Sequence, residues 1–400
     1  MEGAKTDAQD RSPWRVFRIF LRLGLTSFGG PIAHLGYFRR EFVTRRQWLD
    51  ETAYADLVGL CQFLPGPASS QVGFALGLSR HGLTTGLAAW LGFTLPSALL
   101  LFIFAGMAAS LTGPIAAAAI HGLKIVAVAV VAQALWGMAQ NLTPDLRRIA
   151  IAALAALIVS LLAGSFGQVL AIAAGAVAGL IVCRGIGTPT ASPLPVTVSH
   201  RFAAASLTLF FLLLAAGPLF AATNHTLAVF HAFYRSGALV FGGGHVVLPL
   251  LSDAVVRPGW LSPATFLAGY GAAQAVPGPL FTISAYMGAL LNAPPNGAWG
   301  ALLALVAIFL PGMLLLMGVL PFWNGLRNRP GLQAAMRGVN AAVVGILAAA
   351  LYSPLWTSAI AGWRDAALAI LGFALLVFAR IPSWTIVLLT VAGSVLLAMA

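Results

Sequence analysis

An all-α, polytopic membrane protein made of two inverted-topology repeats is the architecture that this sequence predicts. Three observations predict it: apolar runs along the whole chain, a long internal repeat, and a reversal of arginine placement between the two copies. Hydrophobic residues fill 60% and charged residues 8% of the 400 positions, against roughly 25% charged residues in soluble domains. A run of about 20 apolar residues suffices to cross a hydrocarbon core of roughly 30 Å, and such runs recur here with only short polar breaks. A soluble protein is excluded, and no stretch remains for a separate soluble domain.

A formal charge of +12 would point to nucleic acid in a soluble chain. Here the basic residues lie between the apolar runs, where cytoplasmic anchors lie. The expected partner is therefore the lipid bilayer and not nucleic acid. Lys5 and Lys124 are the only lysines among the 22 basic residues. Cys61 and Cys183 sit in separate apolar segments without metal-ligand spacing, so neither a disulfide framework nor a metal site is indicated. Arg11, Arg15, Arg18 and Arg22 precede an apolar run as in a signal peptide. No small-residue cleavage site follows, and the segment recurs later in the chain, so it is read as part of the fold.

The repeat appears at an offset of 212 to 213 residues. Phe28-Gly29-Gly30 returns as Phe241-Gly242-Gly243. Glu41, Arg45, Trp48 and Leu49 return as Asp253, Arg257, Trp260 and Leu261. Gln62-Phe63-Leu64-Pro65-Gly66-Pro67 returns as Gln274-Ala275-Val276-Pro277-Gly278-Pro279. With a small gap, Leu95-Pro96 matches Leu310-Pro311, and His121-Gly122-Leu123-Lys124 matches Arg337-Gly338-Val339-Asn340. These correspondences divide the chain into a first repeat over 1–185, a linker with one connecting helix over 186–225, and a second repeat over 226–400.

Cytoplasmic loops are enriched in Lys and Arg. Arg39, Arg40, Arg45 and Arg46 follow the first Phe-Gly-Gly segment, whereas Arg257 alone remains in the matching loop. The bias then reverses, because 111–119 is uncharged while its counterpart carries Arg327, Arg329 and Arg337. Such a reversal is the mark of two halves inserted in opposite directions. Two first-half segments, near 14–38 and 53–79, have arginines at both ends and Gly29-Gly30-Pro31 or Pro65-Gly66-Pro67 in the middle. Each arm of about 13 residues reaches roughly 20 Å, too short to cross. They read as hairpins of two short helices broken by Pro and Gly, a backbone tolerated at membrane depth only inside protein or beside water. The second half repeats them near 226–252 and 264–291. Spans are expected near 83–110, 115–142, 149–164, 167–183, 203–221, 296–322, 338–353, 366–379 and 383–399, giving about nine spans plus four hairpins.

The motifs Phe28-Gly29-Gly30-Pro31 with Ala33-His34, Gln62 through Gln71 (QFLPGPASSQ), Phe241 through His245 (FGGGH) and Gln274 through Thr282 (QAVPGPLFT) resemble the chromate ion transporter family in its long, two-domain form. The resemblance covers almost the whole chain, and its doubled Pro-Gly-Pro is highly specific. It implies a multi-pass protein of a prokaryotic inner (plasma) membrane that exports chromate, an ion that enters cells by mimicking sulfate. Sulfate or a related oxyanion is the alternative cargo, and an anion channel of the same build is the alternative mode. Proton coupling is the expected drive, since no Walker A loop is present. No enzyme signature and no cofactor motif is found. A homodimer stays open.

Proline favours the first helical turn, so Pro67 and Pro279 should each begin a returning helix whose first amides lack partners. Those amides, with the hydroxyls of Ser69 and Ser70 and of Thr282, suit an oxyanion. The Gly29, Gly30 and Gly243, Gly244, His245 tips offer a second pair of sites. Against this, each incoming arm brings its negative end to the same tip. A purely structural helix break is the plainer reading. Gln62 and Gln274, before Pro65-Gly66 and Pro277-Gly278, would cap freed carbonyls or touch substrate oxygens. Lys124, inside an apolar run, costs about 2.5–3.5 kcal/mol on insertion scales if unpaired. It is expected to face a dianion, Asp56 or an interface. Asp56, Glu41 and His34 are the candidate proton carriers, while Asp56 also suits a structural ion pair, His34 a plain hydrogen bond, and Glu41 with Arg45 a helix staple of about 0.2–0.5 kcal/mol.

Overall fold

The computed structural model describes residues 12–28, 30–110, 113–162, 165–184, 198–241, 244–326 and 329–399. Gly29 and Gly243, two of the expected tip residues, lie outside them, as does Arg327. Every regular element among the described residues is helical.

All four expected hairpins form, and in each a contact between its two ends shows the chain turning back. α1 (Pro13–Thr26) stops before the Phe28-Gly29 break and α2 (Gly30–Phe38) returns, bringing Phe38 and Phe42 to within 5.7 and 4.9 Å of the Phe20 ring. α3 (Glu51–Phe63) is N-capped by Asp50, whose side chain accepts from Ala53 N at 2.7 Å. α4 (Ala68–His81) carries the chain back until Arg80 stacks 4.9 Å above Trp48. In the second half, α10 (His225–Ala238) and α11 (Val247–Leu251), prolonged by a π turn to Val256, set His225 4.9 Å from Trp260. α12 (Pro263–Ala273) and α13 (Ile283–Ala289) close with Tyr286 Oη donating to Thr265 O at 3.2 Å.

Between and after the hairpins run α5 (Leu83–Ser110), α6 (Pro114–Leu142), α7 (Leu146–Leu161), α8 (Ser165–Val182), α9 (His200–Ala221), α14 (Gly297–Val319), α15 (Pro330–Ala350), α16 (Trp363–Val377) and α17 (Ser383–Met399). Five stretches are long and apolar enough to cross a membrane: Leu83–Met107, Pro114–Leu142, His200–Leu219, Gly297–Phe322 and Pro330–Ala359. The other four expected spans, α7, α8, α16 and α17, have 16, 18, 15 and 17 residues. They reach roughly 22–27 Å, and they pack as two antiparallel pairs, α7 on α8 and α16 on α17. Among the described residues, therefore, five of the nine expected spans meet both the length and the composition of a crossing helix.

Equivalent residues make equivalent contacts in the two halves. α5 packs on α1 and α4, and α14 packs on α10 and α13. Gly24 lies against Phe93 O in the first pair, and its counterpart Gly237 lies against Ile308 O in the second. Small residues of this kind let helix backbones approach where lipid supplies no hydrophobic drive to association. The long helices α6 and α15 are exchanged: α6 packs on α16 and α17 of the second half, α15 on α7 and α8 of the first. Gly122 of α6 faces Val391 and Ser394, while Gly338 of α15 faces Gly175 and Gly179. His121 reaches Asp365 at 3.0 Å, and Arg337 donates to Cys183 O at 2.9 Å.

Gly66 and Gly278 take φ of +123° and +101°, a region that a Cβ makes costly. Added methyls would also lie 3.1 Å from Gly312 Cα and 2.8 Å from Ser97 Oγ, respectively. Gly278→Ala and Gly66→Ala should each cost about 1–3 kcal/mol and lower the thermal midpoint of the purified protein in detergent. Gly113→Ala, with φ +97° and open space around it, isolates the backbone share and should lower it less. Equal midpoints for Gly278→Ala and wild type would remove the close-packing argument.

Candidate functional site

The four hairpin tips meet. Gly66 N donates to Val240 O at 2.7 Å, and Gly278 N donates to Ser27 O at 3.0 Å. Ser27 and Val240 are repeat partners, as are Gly66 and Gly278, so each Pro-Gly-Pro tip is bonded to the carbonyl that precedes the other half's Phe-Gly-Gly. A methyl on Gly244 would touch Pro31 at 3.0 Å, which places the remaining two tips side by side. Pro65, Pro67, Pro277 and Pro279 cannot donate a hydrogen bond, and the glycine between each pair makes the one amide bond available there.

The first-half tip carries the better-formed helix start. α4 begins after Pro67 and its first internal bond is Gln71 N to Pro67 O at 2.9 Å, which leaves the amides of Ala68, Ser69 and Ser70 without intrahelical partners. Ser69 and Ser70 are buried, and Ser70 Oγ has no hydrogen-bond partner. Gln71 Nε2 donates to Pro65 O and to Gly312 O at 3.1 and 3.0 Å, pinning the tip to α14 beside its Pro311. The expected twin in the second half differs. After Pro279 comes a 3-10 turn, Leu280–Thr282, then α13 of only 7 residues. The Thr282 hydroxyl donates back to Pro279 O at 2.6 Å. Two matching helix N-termini are therefore not present, because the second returning arm is tightened into its own turn.

His34 is buried between the tips. Its Nε2 lies 3.2 Å from Ser27 O, the carbonyl that also accepts from Gly278, and its Nδ1 lies 3.4 Å from Ser69 Oγ. One imidazole thus links the second-half Pro-Gly-Pro to the start of α4. The equivalent glutamines part company: Gln62 is exposed, whereas Gln274 is 9% exposed with an unpartnered Nε2.

A cavity of about 290 Å³ opens at this junction. Gly30, His245 and Gln274 of the tips line it, with Gln133 of α6 and Arg380 and Ser383 from the α16–α17 turn. His245 Nδ1 is 2.6 Å from Tyr270 Oη, and Ser383 Oγ donates to Gln274 O at 3.3 Å. Arg380, Gln133 and Ser383 were not singled out as site residues from sequence. Their signals were slight: an amide in the middle of an apolar helix and a four-residue break, Arg380 to Ser383, between two apolar runs.

Lys124 is half-buried on α6, nine residues before Gln133, and makes no hydrogen bond or ion pair with a described residue. Its expected pairing with Asp56 does not form. Asp56, buried on α3, accepts from Trp323 Nε1 at 3.3 Å instead. Glu41 lies in a π turn, held by Arg45 at 3.1 Å and Arg46 at 2.7 Å. Partial burial raises its pKa, but the hydrogen bonds and charges of Arg46 and Arg45 outweigh this and hold it below the usual carboxylate range. A carboxylate kept ionised in this way suits a staple better than a proton carrier. Its counterpart Asp253 sits between Arg235 at 3.9 Å and Arg257 at 3.4 Å.

Comparison with known proteins agrees with this two-fold pattern of contacts. The chromate transporter family matches the chain twice, over residues 14–180 and 227–397. A chromate transport protein of Pseudomonas aeruginosa is 27% identical over 347 residues, covering 84% of this chain and 79% of that protein. A probable chromate transport protein of Synechococcus elongatus is 29% identical, covering 84% and 83%. An uncharacterized transporter of Methanocaldococcus jannaschii is 22% identical over 86% and 87%. No solved structure matches. With both copies of the profile matched and apolar helices long enough to span, the chain is a multi-pass membrane protein that belongs to the chromate transporter family, a family of transporters and not of enzymes.

Proposed function

We propose that this protein is a secondary transporter that exports chromate from a prokaryotic cell across the inner membrane, driven by the proton gradient. The observation that carries this reading is the meeting of four broken hairpin tips beside a cavity that residues of three of them line. Irregular backbone at membrane depth needs protein or water around it, and inverted-repeat transporters place their sites at such breaks. Chromate is a tetrahedral dianion with four acceptor oxygens. The amides after Pro67, the Ser70 hydroxyl and the amide group of Gln274 are donors without partners nearby, so they suit such an ion.

In this reading the two halves are inserted in opposite directions, with Arg40 and Arg329 in the cytoplasm and Asn224 outside. Lys124, about 14 Å along α6 from Gln133, supplies a positive charge further along the path, and Asp56 exchanges the coupled proton. Sulfate shares the shape and charge of chromate, so it is the competing cargo.

Everted vesicles should accumulate radiolabelled chromate and lose it on addition of an uncoupler, with sulfate competing weakly. Failure to accumulate either dianion would sink the transport reading, and uncoupler-insensitive, purely downhill flux would favour a channel. In intact cells, an impermeant thiol reagent should label Asn224→Cys and miss Arg40→Cys and Arg329→Cys; labelling of both members of the cytoplasmic pair would refute the orientation. Transport should fall in the order wild type, Lys124→Arg, Lys124→Ala, with apparent KM rising more than maximal flux falls. An unchanged KM in well-inserted Lys124→Ala would remove Lys124 from the path.

A further inference from the structure

We infer that the cavity between the hairpin tips and the α16–α17 turn is the cytoplasm-facing half of the anion site, and that the Arg380 guanidinium is its cation. This rests on the transport reading above and adds the residues that meet the ion first.

Four observations lead there. Arg380 lines the cavity and makes no hydrogen bond or ion pair with a described residue. It holds a φ of +55°, an uncommon backbone for a residue with a Cβ that fixes where the turn presents its side chain. Gln274, nine-tenths buried, is held at its main-chain carbonyl by the Ser383 hydroxyl, and its side-chain Nε2 is unpartnered. None of the lining residues is acidic, so nothing in the wall neutralises the arginine.

The wall is thus rich in donors and carries one unpaired positive charge. A planar guanidinium can give two parallel hydrogen bonds to two oxygens of a tetrahedral oxyanion, while the Gln274 and Gln133 amides are placed to serve the other two. The second cavity, about 420 Å³ between α9, α10 and the π turn, shows the contrast. Its arginines, Arg235 and Arg257, both already face the Asp253 carboxylate, so an anion entering there would compete with a resident carboxylate. The assigned site also joins the halves, since Gly30 comes from the first and His245, Gln274 and Arg380 from the second.

The test uses the purified full chain in detergent with Ile381→Cys as reporter, since Ile381 borders the cavity and the native Cys61 and Cys183 are buried. Alkylation by N-ethylmaleimide is followed while sulfate or molybdate, which do not oxidise thiols, is titrated. Saturable protection is expected with Arg380 intact. Half-protection should shift upward about tenfold in Arg380→Gln and less in Arg380→Lys, as loss of a charge-assisted pair predicts. Chloride at matched ionic strength should protect far less. Identical protection curves with Arg380→Gln, or none with either dianion, would overturn the assignment. A normal thermal midpoint for Arg380→Gln shows that any loss is local; a lowered one passes the decision to Gln274→Leu, which must then shift protection in the same direction or the site fails. If protection follows Arg380 while everted vesicles carry no chromate, the cargo reading falls and the anion site stands. If vesicles carry chromate with a KM indifferent to Arg380→Gln, the site falls and transport stands.

Discussion

Two backbone hydrogen bonds hold the centre of this protein together: Gly66 N to Val240 O and Gly278 N to Ser27 O. A helix broken inside hydrocarbon exposes amides and carbonyls that lipid cannot satisfy. Here each half supplies what the other lacks, through residues that correspond in the repeat. The prolines on either side of each glycine remove competing donors, and the positive φ of both glycines aims the remaining amide across the interface. The cavity, the buried His34 and the start of α4 all take their positions from this pair of bonds.

Symmetry of scaffold does not carry over to the chemistry laid on it. The first half gives a 14-residue returning helix whose amides at Ser69 and Ser70 have no intrahelical partners; the second gives a 3-10 turn and a 7-residue helix. Gln274 is sealed in while Gln62 faces outward. The polar groups around the cavity come chiefly from the second half. A duplicated fold thus takes most of the polar lining of this cavity from one of its halves.

Much of the fold was legible in the sequence because Pro and Gly act locally. The four breaks, the hairpins around them and the repeat are consequences of residues whose backbone effects need no tertiary context. The ends of α7, α8, α16 and α17 were legible too, falling within three residues of the expected bounds, because breaks rich in polar residues, Pro and Gly flank each apolar run. Side-chain partners were least legible. Nothing near Asp56 in sequence announces Trp323, which lies 267 positions away in the chain. Arg380 looked like one more loop arginine, because only folding brings the α16–α17 turn to the hairpin tips.

The exchange of α6 and α15 between the halves bears on how the molecule can move. In many inverted-repeat transporters one bundle rocks as a rigid body against the other. Here each half threads its long helix into the other's helical pair, with glycine-mediated backbone contacts at Gly122 and Gly338 that leave little room for sliding. Whole-half rocking would tear both seams at once. A cycle that keeps both seams intact would draw its motion from shorter elements, such as the hairpin tips and the turn bearing Arg380. Access would then alternate by small, gate-like shifts around a stationary frame, and the energetic cost of a transport cycle would be set at a few tip residues instead of across a broad sliding interface.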